Sequence, residues 1–245
     1  MPKLTVIVPT FNEEAYLEDA LFSVSFADEI IVIDSFSSDR TPEIAKKYAT
    51  KFLQRKFDNF SNQKNFAIKE ATGDWILFLD ADERVTHSLE TEILATIEKP
   101  EHAGYQINFP HFYMNRFLYN HSDDVLRLVK REGAYFSGDV HEKLHCNGSV
   151  GKLENKMIHF TYKGLHNYIK KKEAYAWPQA ENLFRKNKRT TWLHLIFKPG
   201  YRFFSSFILK GGILDGIPGL TVSAVNAYGV FQRYVKLLLL QKEIR

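Results

Sequence analysis

Three carboxylate side chains are crowded into four positions directly after an apolar stretch. The stretch is residues 75–79 (WILFL), which has the length and composition of a buried strand, and Asp80, Asp82 and Glu83 follow it. Like charges this close repel one another and resist losing water, so a positive group is expected among them. The Asp-X-Asp spacing suits a hard divalent cation, Mg²⁺ or Mn²⁺, which prefers oxygen ligands and can also bind a diphosphate. The alternative is an acidic, solvated turn that caps the following helix.

The segments around this cluster predict the sheet that must position it. Strand-like and helix-like patterns alternate through the first hundred residues, which predicts an α/β fold with a mostly parallel, doubly wound sheet. The predicted strands are 4–9, 29–34, 50–57 and 75–79, and the predicted helices are 12–25, 41–48, 61–71 and 88–97. Ligands bind such sheets at the carboxyl ends of the strands. We therefore expect Pro9-Thr10-Phe11, Asp34-Ser35 and Asp80-Ala81-Asp82 to line one crevice.

The pattern changes in the second half of the chain. Short antiparallel strands are predicted at 104–109, 125–130 and 135–136, and the chain is predicted to be helical and basic from Leu165 onward. Residues 163–210 carry a net formal charge of +9, whereas residues 1–162 carry −7. An acidic front half and a basic, aromatic back half indicate two separate roles. We predict a division into residues 1–162 and residues 163–245.

Several classes of site and location are disfavoured by simple features of the sequence. A single cysteine, Cys146, excludes an internal disulfide and a cysteine zinc cluster and fits a reducing compartment. No phosphate-binding glycine motif of the GxxxxGK[ST] or GxGxxG type is present, so a nucleotide would depend on a metal and side chains. No signal peptide is visible at the start. The most apolar stretch, residues 220–240, is interrupted by Arg233 and Lys236, so no membrane span is predicted.

The chain carries four motifs in a fixed order. They are TVIVPTFNEE at 5–14, IVIDSFSSDRT at 31–41, NQKNFAIKEATGDWILFLDADE at 62–83 and GDVHEKL at 138–144. Together they resemble the family 2 glycosyltransferases, inverting enzymes with the GT-A fold. VHEKL, IHFTYKGL and ILKGGILDGIPGL add a narrower resemblance, to the lipopolysaccharide inner-core β-glucosyltransferases that act on heptose.

The resemblance implies roles for the residues that bind the nucleotide. Pro9, Thr10 and Glu13 match the segment that lines the base and ribose. Asp34 matches the acid that accepts a hydrogen bond from the uracil ring; the alternative is a turn or helix N-terminal acid. Lys64 matches a basic residue that reaches the uracil or the phosphates; the alternative is a solvated helix face.

The resemblance also implies the metal ligands. Asp80 matches the acid of the Asp-X-Asp pair nearer the ribose and metal, and Asp82 matches the acid that coordinates the cation. His159 occupies a place suitable for a further metal ligand, although a lone histidine on an apolar strand is more often a core residue.

An inverting transfer needs one base to take the proton of the acceptor hydroxyl. Glu142 occupies the family position of this base, and Asp139, three residues earlier, is the second candidate. The alternative for Glu142 is a hairpin-edge acid that pairs with Lys143.

The basic, aromatic back half fits two kinds of partner. Lysines and arginines interleaved with aromatic residues are typical of nucleic-acid binding or of contact with an anionic membrane surface. The front half favours the membrane, with no nucleic-acid partner, because the resemblance implies a phosphorylated, lipid-anchored acceptor. The basic residues are then expected to contact the acceptor's phosphates and the bilayer, although part of the region could be a solvated helix face with core aromatics.

We therefore predict a transferase that moves glucose from UDP-glucose to a heptose of the lipopolysaccharide core. It would use Mg²⁺ or Mn²⁺ and act at the cytoplasmic face of the inner membrane. Transfer to polyprenyl phosphate or to another polysaccharide is the alternative within the family. A non-catalytic nucleotide-sugar or membrane-binding module is the alternative outside it. No short motif encodes the donor sugar or the oligomeric state.

Overall fold

The computed structural model describes residues 2–138, 142–160 and 164–244, apart from the side chains of residues 119–121. The chain forms two compact units. The first comprises Met1–Pro110 and Asp123–His159, and the second comprises His111–Ser122 and Phe160–Arg245. The roles predicted for residues 1–162 and 163–245 remain predictions at this point.

The regular elements follow one another along the chain in this order. The strands are β1 (Leu4–Thr10), β2 (Glu29–Asp34), β3 (Lys51–Gln54), β4 (Trp75–Phe78), β5 (Glu83–Arg84), β6 (Gly104–Tyr113), β7 (Arg116–Lys130), β8 (Tyr135–Ser137), β9 (Lys143–His145), β10 (Val150–Lys156) and β11 (Ile158–His159). The α-helices are α1 (Leu17–Phe22), α2 (Thr41–Tyr48), α3 (Phe60–Glu70), α4 (His87–Glu98), α5 (Leu165–Arg185), α6 (Trp192–Phe204) and α7 (Ile217–Gln241).

The first unit is built on a mixed sheet with the order β3-β2-β1-β4-β7-β6-β11-β5. β1 pairs in parallel with β2 and β4, and β2 pairs in parallel with β3. β7 joins β4 in the antiparallel direction. The predicted α/β fold with a mostly parallel, doubly wound part is therefore confirmed, and an antiparallel part continues the sheet.

Apolar side chains alternate between the two faces of this sheet. Val6 and Val8 pack into one buried cluster with α1, α2 and α4, whereas Ile7 packs into another with α3. Strands covered on both faces read as continuous apolar runs, which explains the sequences LTVIVP and EIIVID. The carboxyl ends of β1 and β2 lie side by side, with Thr10 opposite Asp34.

Predicted and observed elements differ clearly in the segment after β1. A helix was predicted over 12–25, but α1 begins only at Leu17. The residues before it form a loop that is hydrogen-bonded to the loop after β2. Thr41 precedes Pro42, an order that suits an N-cap and first helical position. Its hydroxyl instead accepts the Glu13 N–H at 2.8 Å, and α2 begins at Thr41 itself. A long-range contact thus takes the place of a local cap.

The second unit consists mainly of α5, α6 and α7, with a 3₁₀ turn at Gly212–Asp215 before α7. Its buried apolar cluster is small and is formed by Tyr113, Leu118, Tyr168, Val222 and Val225. The Tyr168 hydroxyl donates a buried hydrogen bond of 2.9 Å to Asn226 Oδ1. Within the described chain, none of the helices combines the length and hydropathy that crossing a bilayer requires.

Candidate active site

A cleft of about 660 Å³ opens in the first unit at the carboxyl ends of β1, β2 and β4. The predicted site residues that line it are Pro9, Thr10, Glu13, Lys64, Asp80, Asp82, Glu142 and His159. The cleft also contains Phe11, Ser35, Phe57, Phe60, Gln63 and Ala81. Residues spread over 150 positions therefore converge on one cleft, as the strand-end argument predicts.

Asp34 lies behind the cleft wall and is fully buried. Its Oδ1 accepts hydrogen bonds from the hydroxyls of Thr10, at 3.2 Å, and Ser37. Its Oδ2 accepts from the Ser37 N–H at 2.9 Å and from Gln54 Nε2 at 3.1 Å. These contacts fix the loop after β2. A hydrogen bond from a uracil ring to Asp34, as predicted, would require at least one of them to open.

The loops after β1 and β2 hold each other through reciprocal hydrogen bonds. The Asn12 N–H donates to Ser37 Oγ at 2.8 Å, and Asn12 Oδ1 accepts the Ser38 N–H at 2.9 Å. The Glu14 N–H donates to Asp39 Oδ2 at 3.1 Å. Asn12 adopts the left-handed conformation that asparagine tolerates best among non-glycine residues. The loop after β1 and the loop after β2 are therefore bonded into one wall of the cleft.

The acidic cluster after β4 surrounds a guanidinium from a distant strand. Arg127 of β7 contacts Asp80 Oδ2 at 2.8 Å and Glu83 Oε1 at 2.6 Å. The other Glu83 oxygen accepts the Asp80 N–H at 2.8 Å, so the turn is closed on itself. Arg127 also lies 5.2 Å from the centre of the Phe109 ring. The positive group expected among these acids is thus, in part, an arginine of the protein itself.

Burial and charge act differently on the two acids that contact Arg127. Burial raises the pKa of Glu83 to about 8, although Arg127 opposes the shift. Burial would also raise the pKa of Asp80, but the charges of Arg127 and Lys64 outweigh it and hold that pKa well below its ordinary value. Near neutral pH, the trio of Asp80, Glu83 and Arg127 therefore carries a net charge between −1 and 0.

The acidic cluster is not a solvated cap of the next helix. Thr86 caps α4, since its hydroxyl accepts the Leu89 N–H at 3.2 Å. The Asp82 side chain is only 19% exposed and faces His159, with Oδ1 and Nε2 3.8 Å apart. Antiparallel pairing of β11 with β5 places His159 opposite Glu83 and creates this juxtaposition.

Asp82 and His159 together suit a divalent cation. Carboxylate oxygens are the ligands that Mg²⁺ and Mn²⁺ prefer, and imidazole nitrogens bind several other divalent ions. Mg²⁺ is often held by only one or two carboxylates together with substrate phosphates. Among the residues that the structure describes, no group of three or more His, Cys, Asp or Glu is arranged to hold a metal. The chain therefore offers a partial ligand set that a diphosphate could complete.

Glu142 pairs with Lys64 rather than with its neighbour Lys143. Lys64 Nζ and Glu142 Oε1 are 3.0 Å apart, and the lysine side chain is almost completely buried. The ammonium also lies 4.9 Å from the centre of the Phe136 ring. The two predicted site residues, 78 positions apart, thus contact each other at the cleft. Asp139, the second candidate base, lies outside the described residues.

Helix α3 positions the segment that leads to Glu142. Asn65 Nδ2 donates to the Phe136 carbonyl at 2.9 Å, and Asn65 Oδ1 accepts the Phe136 N–H at 2.7 Å. The Ser61 hydroxyl donates to the Gly138 carbonyl. Because Lys64 is on the same helix, one element carries both the lysine and the groups that hold the chain beside its partner.

Two features of the cleft were missed from the sequence. Arg127 belongs to a strand with no motif of its own, and only its charge within an apolar segment could have indicated an ion pair. Phe57 and Phe60 also line the cleft, although they are 44% and 48% exposed. They join Phe11, which was expected at the crevice and is 59% exposed. The Phe57 and Phe60 rings contact edge to face, with their centres 4.9 Å apart. Exposed aromatic side chains at a cleft offer a surface on which a planar base can stack.

Comparison with known proteins gives a consistent family match. The model of glycosyl transferase family 2 matches residues 5–156. The lipopolysaccharide core biosynthesis glycosyltransferase LpsC of Rhizobium meliloti is 26% identical over 96% of this chain and 94% of its own. A GalNAc(5)-diNAcBac-PP-undecaprenol β-1,3-glucosyltransferase of Campylobacter jejuni is 29% identical over 100% of this chain and 76% of its own.

A solved structure supports the same fold. The mannosyltransferase PcManGT from Pyrobaculum calidifontis, solved in complex with GDP-mannose and Mn²⁺, superimposes with a TM-score of 0.55. The match covers 97% of this chain and 87% of that protein at 15% sequence identity. The GT-A architecture expected from the motifs is therefore confirmed.

Proposed function

The chain belongs to glycosyl transferase family 2, a family of glycosyltransferases that act on nucleotide sugars, and on this basis we propose a specific reaction for it. It transfers glucose from UDP-glucose to a heptose of the lipopolysaccharide core, with inversion at the anomeric carbon. The observation that carries the proposal is the convergence of Asp82, His159, Glu142 and Lys64 on one cleft.

Glu142 acts as the base in this proposal. Its carboxylate takes the proton of the acceptor hydroxyl as that oxygen attacks the anomeric carbon, opposite the departing diphosphate. Lys64, at 3.0 Å, holds the carboxylate in place. The lysine is buried and its ammonium contacts the Phe136 ring, which limits the positions that it can take.

Asp82 and His159 would hold the divalent cation in this cleft. When bound, the cation supplies Lewis-acid stabilisation of the charge that develops on the leaving UDP. Asp80 is kept ionised beside Arg127, and the guanidinium limits the negative charge that the diphosphate meets on entering the cleft.

Pro9, Thr10 and Glu13 line the side of the cleft where the base and ribose would bind. The aromatic side chains of Phe11, Phe57 and Phe60 offer a stacking surface for the base. Asp34 supports this wall from behind through Thr10 and Ser37, and reaches the uracil ring only if one of those contacts opens.

The acceptor is inferred from the likeness to the lipopolysaccharide core enzyme LpsC, which extends over nearly the whole of both chains. Such an acceptor is anchored in a membrane, and the second unit suits contact with one. All of Trp192–Phe204 is described, and none of its residues is buried. The exposed large apolar residues of this helix are Trp192, Leu193, Ile196, Phe197, Tyr201 and Phe204.

The same apolar surface extends past α6. Ile208, Leu209, Ile213, Leu214, Ile217 and Leu220 are exposed as well. An exposed apolar helix with lysine and arginine nearby is typical of segments that lie in the interface of an anionic bilayer. We propose peripheral contact with the inner face of the cytoplasmic membrane through this surface.

Transfer to an undecaprenyl-linked saccharide is the second candidate. The Campylobacter relative, whose name gives a GalNAc(5)-diNAcBac-PP-undecaprenol substrate and a β-1,3-glucosyl product, matches the entire chain. Both acceptors carry phosphate groups and a lipid, so the same membrane-facing surface would serve either of them.

The test is a screen of UDP-sugars against both acceptor classes, with Mn²⁺ or Mg²⁺ and with EDTA. We expect transfer of glucose to a heptose-containing core acceptor and loss of transfer in EDTA. Glucose transfer only to an undecaprenyl diphosphate saccharide would favour the second candidate. Full activity in EDTA would contradict the proposed role of the cation.

A further inference from the structure

A second cleft, of about 380 Å³, lies within the second unit and is lined by residues of α5, α6 and α7. Three cationic side chains line it: Lys172 of α5, Arg202 of α6 and Arg233 of α7. The remaining lining residues are Tyr175, Gln179, Asn226, Gly229 and Val230. The cleft is thus lined by three cations, polar and aromatic groups, and no carboxylate.

The three cations are not neutralised within the described chain. No carboxylate that the structure describes forms an ion pair with any of them, whereas Arg185 nearby on α5 pairs with Glu181 at 3.6 Å. The Nε of Arg233 is buried without a hydrogen-bond partner. A buried donor without a partner costs free energy, so it marks a place where a ligand can supply the acceptor.

Repulsion among these cations contributes to the lowered pKa of two of them. Burial lowers the pKa of Lys172, and the charges of Arg202, Lys171 and Arg233 lower it further. Burial also lowers the pKa of Arg233, with an additional effect from Arg202. An anion in the cleft would relieve the repulsion among all three cations.

The cleft is held in shape by packing around it. The Lys172 ammonium lies 5.3 Å from the centre of the Tyr168 ring, and the Tyr168 hydroxyl is bound to Asn226. Gly229 leaves room for the lysine stem, since a Cβ there would lie 3.3 Å from Lys172 Cβ and Cδ. The lysine is therefore placed by contacts with two helices rather than extended freely into solvent.

We propose that this cleft is a binding site for a phosphate or diphosphate group. Guanidinium groups bind phosphate oxygens through paired, charge-assisted hydrogen bonds, and a lysine adds a point charge. Three cations around one cleft match a dianion or a diphosphate better than a carboxylate, which carries a single charge. None of the residues that line it also lines the nucleotide-sugar cleft.

Two sources could supply the phosphate. One is a membrane-anchored molecule, such as an anionic lipid or a phosphorylated lipid-linked saccharide. The other is a free phosphate compound in solution. The shared chemistry is the phosphate group, and two binding measurements distinguish the sources.

The experiment compares the full-length protein with Lys172→Gln and Arg233→Gln, and uses Lys171→Gln as the matched control. Lys171 adjoins Lys172 on the same helix, is exposed and does not line the cleft. Calorimetry measures binding of inorganic pyrophosphate in EDTA, with chloride at equal ionic strength as the reference. Sedimentation with vesicles of phosphatidylglycerol, and of phosphatidylcholine, measures lipid binding.

We expect each cleft variant to bind pyrophosphate at least about tenfold more weakly than wild type, with Lys171→Gln close to wild type. If the cleft variants also lose binding to phosphatidylglycerol vesicles, the phosphate is that of a lipid. If vesicle binding is retained, the ligand is a free phosphate compound. Unchanged binding of both pyrophosphate and vesicles by both cleft variants would overturn the proposal.

A stability measurement separates a binding role from a structural one. Removing one of several repelling cations should leave the ligand-free protein as stable as wild type or raise its Tm. Pyrophosphate should raise the Tm of wild type but not of the cleft variants. A clear fall in the Tm of ligand-free Arg233→Gln and Lys172→Gln, with pyrophosphate binding intact, would instead make these residues structural.

Discussion

The two units of this protein differ in whether the cations that line their clefts are paired with carboxylates. In the first unit, Arg127 lies between Asp80 and Glu83, and Lys64 pairs with Glu142. In the second unit, the described structure offers no carboxylate to Lys172, Arg202 or Arg233, although they line one cleft. The cations at the first cleft are therefore paired with acids of the same unit, whereas the cleft of the second unit holds cations that an external anion could neutralise.

The two units also differ in how far they bury their apolar side chains. The strands of the first unit bury alternate side chains in two clusters, one on each face of the sheet. In the second unit, α6 buries no residue of its described span and exposes large aromatic side chains. The first unit therefore buries its apolar side chains on both faces of its sheet, whereas α6 leaves large apolar side chains exposed.

Replacing Asp82 by Asn should have the largest effect on sugar transfer. Only functions of the first unit should change. Loss of the carboxylate removes a proposed cation ligand, so turnover should fall by about a thousandfold or more, equivalent to several kcal/mol of transition-state stabilisation. Cation-dependent UDP binding, measured by calorimetry, should be lost too. Asp19→Asn, which changes an exposed acid outside the cleft, is the control. Sugar transfer at the wild-type rate by Asp82→Asn would show that the metal assignment is wrong.

Replacing Glu142 by Gln tests the proposed base. We expect kcat to fall by about 10²–10⁴-fold because the amide cannot accept the proton, while UDP binding stays close to wild type. Steady-state kinetics with Glu132→Gln, an exposed acid, as control separates the two effects. If turnover is unchanged, the base lies elsewhere, with Asp139 the first alternative.

Replacing Arg127 by Met tests the internal charge balance of the first unit. The change leaves Glu83, which is 1% exposed, without its guanidinium partner. The free energy of unfolding should fall by about 1–3 kcal/mol, because the buried Glu83 loses a hydrogen-bond partner and Asp80 loses its ion pair. Urea denaturation measures it, and adding Glu83→Gln should recover part of the loss. In contrast, Arg233→Gln in the second unit should not destabilise the ligand-free protein. Equal losses for Arg127 and Arg233 would remove the contrast between the units.

Replacing both Trp192 and Phe197 by Ser tests the exposed face of α6. Binding to phosphatidylglycerol vesicles should weaken by about tenfold or more, because two apolar side chains no longer enter the interface. UDP binding should be unaffected. Phe22→Ser changes an aromatic of the first unit that is 74% exposed and serves as the control. Equal vesicle binding by wild type and the double variant would place the membrane surface elsewhere.

Replacing Asn59 by Ala should have the smallest effect. Its side chain caps α3 by accepting the Asn62 N–H at 2.8 Å, and losing such a cap costs about 1 kcal/mol. Thr86→Ala, which removes the cap of α4, should cost a similar amount. No side chain caps α5 in the second unit, because Gly164 precedes it. A loss well above that of Thr86→Ala, measured by urea denaturation, would show that α3 holds the Glu142 segment more strongly than a cap alone explains.

Much of the first unit could be predicted from sequence, and the reasons are local. The boundaries of β2 coincide with the predicted ones, because an apolar, β-branched run between two acids predicts a buried strand. Pro9, Thr10 and Asp80 line one cleft because parallel strands present their carboxyl ends at one edge. Lys64, Glu142 and His159 reach the same cleft from other parts of the chain, and their place was implied only by the family motifs. Helix α1 was overestimated, because its first predicted turns are held in a loop by contacts with residues 37–41.

Other features depended on contacts that no local pattern encodes. Asp34 was expected to face the nucleotide, but in the structure it is fully buried and bonded to Thr10, Ser37 and Gln54. Its bonding to Ser37 matches the alternative of a turn acid, while its predicted contact with uracil remains a prediction. The roles assigned to the residues that line the cleft also remain predictions until they are measured.

The sequence by itself determined the family, the alternation of strands and helices in the first hundred residues, and the placement of acids at strand ends. These follow from short-range periodicity and from motifs that need no partner. Only the tertiary structure decided that Arg127 lies between Asp80 and Glu83, that Lys64 meets Glu142, and that three cations of three helices share one cleft. Such pairs depend on strand order, register and helix packing, which bring together residues that are distant along the chain. Their charges are visible in the sequence, but their partners are not.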